Sequence, residues 1–219
     1  MFQDRLQAAA QLADRLANYR GKRPLVLAIP RGAVSMAQLI AKQLDGDFDL
    51  VLVRKLRAPG QPELAIGSVD ESGWTFIAPH AHAMGVEEGY IEQEKQAQLQ
   101  TIRHRRALYS PKHSPFDPAG RIVIVVDDGM ATGATMLAAL HGLRERKPQR
   151  LICAVPVAPE DTLRKAQTLA DEVVCLETPV WFQAVGQFYQ HFPQVEDAEV
   201  IELLKTRSAA ARPGTGQSP

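Results

Sequence analysis

The chain has 219 residues, with 25 basic and 25 acidic side chains and a formal net charge of zero. That length suits one α/β domain with a substantial core and a small appendage, and the charge balance argues against a protein devoted to wrapping nucleic acid. Met1-Phe2-Gln3-Asp4-Arg5 lacks the basic-then-apolar order of a secretion signal, and no apolar run nears the ~20 residues that span a bilayer, so the expectation is a soluble cytoplasmic protein.

Leu6, Ala9, Ala10, Ala13, Leu16 and Ala17 recur at helical spacing, so an amphipathic helix opens the chain and Gly21 ends it. Leu25–Ile29 reads as a strand and Val34–Leu44 as a helix, with Ala28-Ile29-Pro30-Arg31-Gly32-Ala33-Val34 turning sharply between them. Arg31 brings a fixed cation there, and Gly32 bares backbone N–H groups near the helix start. This is either an anion cradle or an ordinary turn. Leu50–Val53 reads as the second strand, with Arg54 and Lys55 at its end as solvated charges or anion ligands. The composition of Arg57-Ala58-Pro59-Gly60-Gln61-Pro62-Glu63 forbids regular structure.

Leu64–Val69 and Trp74–Ile77, joined by Asp70-Glu71-Ser72-Gly73, read as a hairpin. His80 and His82 lack neighbours at ligand spacing and read as loop histidines rather than a metal site. Val86–Tyr109 is polar, anchored sparsely by Ile91, Leu99, Ile102 and Leu108, and reads as a long half-exposed helix. Its Arg103-His104-Arg105-Arg106 run reads as a solvated face rather than a nucleic-acid patch. Pro111, Pro115 and Pro118 make a stiff connector.

Strand Ile122–Val126, helix Thr135–Arg146, strand Leu151–Val155, helix Asp161–Ala170 and strand Glu172–Leu176 follow. This alternation predicts an α/β fold with a doubly wound, mainly parallel sheet, carrying the inserted hairpin and long helix. Cys153 and Cys175 lie in its apolar strands and read as free thiols suited to a reducing compartment. Trp181 and Phe182, just past the last strand, either stack on a planar ligand or cover the sheet. Residues 207–219 read as a disordered tail.

The most informative stretch is Arg121-Ile122-Val123-Ile124-Val125-Val126-Asp127-Asp128-Gly129-Met130-Ala131-Thr132-Gly133-Ala134-Thr135. In an open parallel sheet, ligands bind beyond the carboxyl ends of the strands, where Asp127 and Asp128 fall. Two adjacent carboxylates offer several acceptor sites, which suits a vicinal diol such as that of ribose. Gly129 and Gly133 permit left-handed angles, Thr132 and Thr135 add hydroxyls, and the next helix presents its positive end, together an anion site for a phosphate monoester. A P-loop would need Lys where Ala134 stands. No Gly-x-Gly-x-x-Gly follows a predicted strand, and a phosphoacceptor receiver domain fits the insertion poorly.

Val125 to Thr135 resembles the phosphoribosyl-diphosphate signature of the type I phosphoribosyltransferases, and the chain to about residue 205 resembles a bacterial group of that family with no defined acceptor base. The resemblance implies that Asp127 and Asp128 hold the ribose hydroxyls. Gly129, Met130, Ala131, Thr132, Gly133, Ala134 and Thr135 would form the donor-binding loop, with the 5′-phosphate on residues 131–135. Arg31 and Gly32 would sit in a pyrophosphate loop with a cis peptide at Pro30–Arg31, and Lys55 would join the catalytic set as a phosphate contact. A mobile loop near Arg57, Gln61 and Glu63 would shield the reaction centre from water, although a plain connector is the alternative for each residue. Mg²⁺ would ride mainly on the diphosphate and sugar oxygens, with its protein ligands undetermined.

The same resemblance implies one unit over residues 1–206, an insertion at about 57–118, and a hood from about 177–206 plus the N-terminal helix. A small nitrogenous base would be the acceptor, and a homodimer the assembly. A regulator that senses phosphoribosyl diphosphate without turnover is the competing expectation, and hydrolysis at the same site is a third.

Overall fold

The structure is a computed structural model describing residues 1–110 and 114–205, without the side chains of Pro62, Glu63 and His82. The expectations for Pro111, for residues 207–219 and for the side chains of Glu63 and His82 lie outside that description. Helix α1 (Arg5–Arg15) starts after Asp4, whose carboxylate accepts from the Gln7 N–H at 2.8 Å. Next come β1 (Leu25–Ala28), α2 (Val34–Gln43) and β2 (Asp47–Leu50). The insertion comprises β3 (Val53–Ala58), β4 (Gln61–Asp70), β5 (Thr75–Ile77), the short α3 (Pro79–Ala83) and the 22-residue α4 (Glu88–Tyr109). The chain returns through β6 (Ile122–Val126), α5 (Ala134–Glu145), β7 (Arg150–Val157), α6 (Glu160–Gln167), β8 (Glu172–Glu177) and α7 (Asp197–Lys205).

Five strands form one parallel sheet in the order β2-β1-β6-β7-β8. Successive side chains of a strand point to opposite faces, and here both faces are buried, which is why the runs are apolar without alternation. Val26, Ala28, Ile124, Val126, Ile152 and Ala154 pack with α1 and α2 on one side. Leu25, Leu27, Val123, Val125, Leu151 and Val155 pack with α5 and α6 on the other. Each large side chain among them contributes about 1.5–3 kcal/mol when fully buried. Cys153 is buried and Cys175 half-buried, and both are free thiols. Among the described residues, no helix is long and apolar enough to cross a membrane.

Two expectations about the second strand need correction. It runs over Asp47–Leu50 rather than Leu50–Val53, because Asp47 and Asp49, which look like loop residues, are neutralised in place. Arg121 Nη2 donates to Asp47 at 2.5 Å, and Arg106 Nη1 donates to Asp49 at 3.1 Å. Val53 then opens a separate antiparallel sheet, β3-β4-β5. Residues 57–63 are therefore a hairpin rather than irregular chain. Only Pro59 and Gly60 turn, with Gly60 at φ +70°, and Pro62 lies where β5, which pairs only Gly67–Val69, leaves β4 with one neighbour.

The insertion is fastened to the main sheet by charge. Arg106 donates to Glu71 from Nε at 2.7 Å and Nη2 at 2.6 Å, and also reaches Leu50 O at 3.1 Å. Asp49 is 1% exposed, and its second oxygen accepts from Phe116 N–H at 3.0 Å. Arg103 and His104 are exposed as expected. Arg106 is not part of a solvated face, because two carboxylates and a carbonyl occupy it. Trp74 and Phe76 stack on His141 of α5 at centroid distances of 5.7 and 4.7 Å, seating the small sheet on that helix.

Candidate active site

Strands β1 and β6 are neighbours at the point where the connections diverge, α2 leaving for one face of the sheet and α5 for the other. Such a switch point opens a crevice beyond the carboxyl ends of the strands. Ladder bonds carry both loops to its rim: Ile29 N–H donates to Val126 O at 3.0 Å, and Asp127 N–H to Ala154 O at 3.3 Å. The Pro30–Arg31 peptide is cis, at the expected position. A Cβ on Gly32 would lie 2.0 Å from Asp128 Oδ2. The turn after β1 and the acidic end of β6 are thus in direct contact, and no larger residue would permit it.

Asp128 is held by segments far apart in the chain. Arg5 Nε donates to its Oδ2 at 2.9 Å, while Arg5 Nη1 donates to Pro193 O at 2.7 Å and the guanidinium lies 3.7 Å from the Phe192 ring centroid. Tyr189 Oη donates to the Asp128 carbonyl at 2.6 Å and stacks on Phe192. Asp127 accepts from the Asp128 N–H at 2.9 Å and makes no ion pair among the described residues. Burial, then repulsion from Asp128, raises Asp127 well above the usual carboxylate range. Burial also raises Asp128, with Arg5 opposing. The pair therefore holds a proton more readily than two separate acids, and Asp127 is the member left open to a ligand.

Behind the pair, Gly133 takes φ +72° at the start of α5, and a Cβ there would meet Thr162 Cγ2 at 2.6 Å. Thr162 Oγ1 donates to Ala131 O at 2.7 Å, so α6 props the loop from below. Thr132 Oγ1 accepts from Ala134 N–H at 3.5 Å. Ala131 and Thr132 are exposed, Ala134 and Thr135 half-buried, and the positive end of α5 lies beside them. Gly129 and Met130 support this loop instead of presenting donors. Met130 is 1% exposed and its N–H is committed to Val157 O at 2.9 Å. A Cβ on Gly129 would strike Val185 Cγ1 at 2.6 Å.

The expected cations are distributed differently from the sequence reading. Arg54 and Lys55 lie within β3, not at the end of a core strand, and they face opposite ways. Arg54 Nε donates to Gln98 Oε1 at 3.0 Å and lines a small cavity with Pro30, Arg105 and Thr135. Lys55 opens onto a cavity of about 290 Å³ on the outer flank of the loop, with Thr132, Ala134, His141 and Lys165. Arg54 thus approaches the Pro30 turn, while Lys55 does not. Arg31 is half-exposed, with Nη1 3.7 Å from both Glu196 Oε2 and Asp197 Oδ1. Among the loop candidates, Arg57 is exposed and its N–H donates to Glu94 Oε1 at 3.1 Å; Gln61 is also exposed.

Trp181 is 85% exposed and so does not cover the sheet, whereas Phe182 packs on Phe188 at 5.2 Å. Tyr189 and Phe192 stack on each other, and their link to Asp128 was not foreseen. Arg5 was also missed. Its signal was present: residues 5, 9, 12 and 16 share one helical face, and the other three are fully buried. His80 Nε2 lies 3.0 Å from Ala65 O.

The fold is α/β, with an acidic pair and a glycine-threonine loop at the switch point of a parallel sheet. A family model described as the phosphoribosyl transferase domain matches residues 2–191, and the chain belongs to that family. It is 39% identical over 205 residues to a Mycobacterium tuberculosis (strain H37Rv) protein named as a putative phosphoribosyl transferase. That match covers 93% of this chain and 46% of the relative, so the chain spans about half its length. The crystal structure of TT1426 from Thermus thermophilus is 41% identical, with a TM-score of 0.83 over 93% of this chain and 97% of that one. Over 92 residues, the chain is 34% identical to adenine phosphoribosyltransferase of Rhodospirillum centenum, covering 40% of this chain and 53% of the other.

Proposed function

We propose that this protein transfers ribose 5-phosphate from phosphoribosyl diphosphate to a nitrogenous base, with release of pyrophosphate. The observation that carries the reading is the contact between Gly32 and Asp128, which joins the Pro30–Gly32 turn, the acidic pair and the glycine-threonine loop in one crevice. Asp127 would accept from the ribose hydroxyls, held in place by Asp128, which Arg5 and Tyr189 anchor. The exposed loop at Ala131–Thr132 and the N-terminus of α5 would take the 5′-phosphate. The turn around Arg31 would take the diphosphate, whose charge competes with Glu196 and Asp197 for that guanidinium. Trp181, exposed at the same rim, offers a face on which a planar acceptor can stack.

In the reaction, the C1–O bond to the diphosphate breaks, a C1–N bond to the acceptor forms, and the acceptor's N–H proton leaves to solvent. The protein supplies orientation and fixed charges around a sugar that becomes positive at C1. Asp127, a carboxylate without a cation partner, fits a Mg²⁺ ion carried mainly by the substrate's own oxygens. When bound, that ion would neutralise the leaving diphosphate.

The test is pyrophosphate release from phosphoribosyl diphosphate and Mg²⁺ across purines including adenine, pyrimidines and other amines. Release that depends on one acceptor class is expected. Tight donor binding without release for any acceptor would replace transfer with sensing, and release without an acceptor would replace it with hydrolysis.

A further inference from the structure

Helix α4 belongs to the insertion, yet it places an arginine beside the turn expected to hold the diphosphate. Arg105 lines a small cavity with Arg54, Pro30 and Thr135. It is half-buried and makes no hydrogen bond or ion pair among the described residues. One residue further on, Arg106 has two carboxylates and a carbonyl. The same helix thus satisfies one guanidinium fully and leaves its neighbour unpaired. Arg54 faces the same cavity and donates only to the neutral Gln98. Burial and the like charges of Arg105 and Arg57 make its protonated form harder to hold.

Arg31 adjoins this cluster: its Nη1 lies 3.7 Å from Asp197 Oδ1, which also accepts from the hydroxyl of Tyr109, four residues beyond Arg105 on α4, at 2.6 Å. Arg31 has only long ion pairs at 3.7 Å, and neither Arg54 nor Arg105 has a carboxylate within salt-bridge distance among the described residues, so these partly desolvated guanidiniums are poised for an anion that brings several charges at once. The cavity, at about 30 Å³, is too small to enclose such a ligand. The anion would therefore lie at its mouth, beside the Pro30–Arg31 turn.

We propose that Arg105, from the inserted helix α4, is a binding residue for the donor's diphosphate and acts with Arg54 beside the Pro30–Arg31 turn. The proposal rests on the transferase reading for the identity of the ligand. It makes the insertion a structural part of the donor site and not an ornament on the sheet.

The probes are inorganic pyrophosphate with Mg²⁺, and ribose 5-phosphate, each titrated calorimetrically into the full chain at fixed salt. Arg105→Met should weaken pyrophosphate about tenfold or more and leave ribose 5-phosphate unchanged, because the latter is held by the acidic pair and the loop at 131–135. Arg103→Met, on an exposed position of the same helix, should alter neither. Should Arg105→Met fail to fold, Arg105→Gln carries the same comparison. Equal pyrophosphate affinity in wild type and variant, or none in wild type, overturns the proposal. Pyrophosphate binding that depends on Arg105, without donor turnover for any acceptor, would refute transfer and leave this anion site standing.

Discussion

A carboxyl group whose pKa rises on folding destabilises the native state whenever it is ionised. Asp127 is such a group, raised by burial and then by Asp128. Between the ordinary carboxylate value and the raised one, the native state binds more protons than the unfolded chain. Its contribution to stability is therefore greatest at low pH and falls as pH rises through that window. Asp127→Asn should flatten this slope and raise the melting temperature above neutral pH, by roughly 2–4 °C for each kcal/mol relieved. It should also weaken donor binding. Melting curves across pH, paired with donor titrations, check both; an unchanged slope would show that Asp127 is not the strained acid.

Gly32 gives a second test at the same spot, because its constraint is steric. A methyl placed 2.0 Å from Asp128 Oδ2 must displace that carboxylate from Arg5. Gly32→Ala should cost about 1–3 kcal/mol, as overpacking does, and raise the donor's KM. Urea unfolding and steady-state kinetics would measure the two effects, and wild-type values for both would sink the argument.

Helix α4 and the three-stranded sheet depend on one buried ionic knot. Removing Arg106 deprives Asp49, which is 1% exposed, of a guanidinium at 3.1 Å and strips Glu71 of its two-point partner. Arg106→Met should destabilise by about 3–5 kcal/mol. Hydrogen exchange should then show β3–β5 and α4 loosening before β1, β6 and β7, which carry the core. A uniform loss across both sheets would show that the knot supports the whole molecule and not the insertion alone.

This region was also the least legible from the sequence. Four consecutive basic or histidine residues on a long polar helix look alike, since the partners of Arg106 lie 35 and 57 positions away. Asp47 and Asp49 hid a strand for the same reason. Pro59, Gly60 and Pro62 suggested a linker because two turn residues and one edge proline carry the same signals as an irregular segment.

Across the whole chain, the parallel sheet was legible because a strand buried on both faces must be apolar throughout, as Ile122–Val126 is. The acidic pair and the glycine-threonine loop were legible from local order, and the cis bond from the family resemblance. What could not be read was long-range: Arg5 meets Asp128 across 123 positions, and Phe2 pairs with Tyr189 from the far side of the sequence. Phe2 is 2% exposed and tilts against Tyr189 at 5.4 Å. Phe2→Ala should cost about 3–5 kcal/mol and loosen the hold on Asp128, lowering melting temperature and donor affinity together. A loss of stability with donor affinity intact would separate the Phe2–Tyr189 packing from the site.

The double grip on Asp128 also has a consequence for synthesis. Arg5 leaves the ribosome well before the strand that bears Asp128, and Pro193, its backbone anchor, well after that strand. A nascent chain can therefore assemble its parallel strands while the acidic pair still lacks the clamp that fixes its charge. Substrate recognition would mature late, when stretches of polypeptide made far apart in time finally meet.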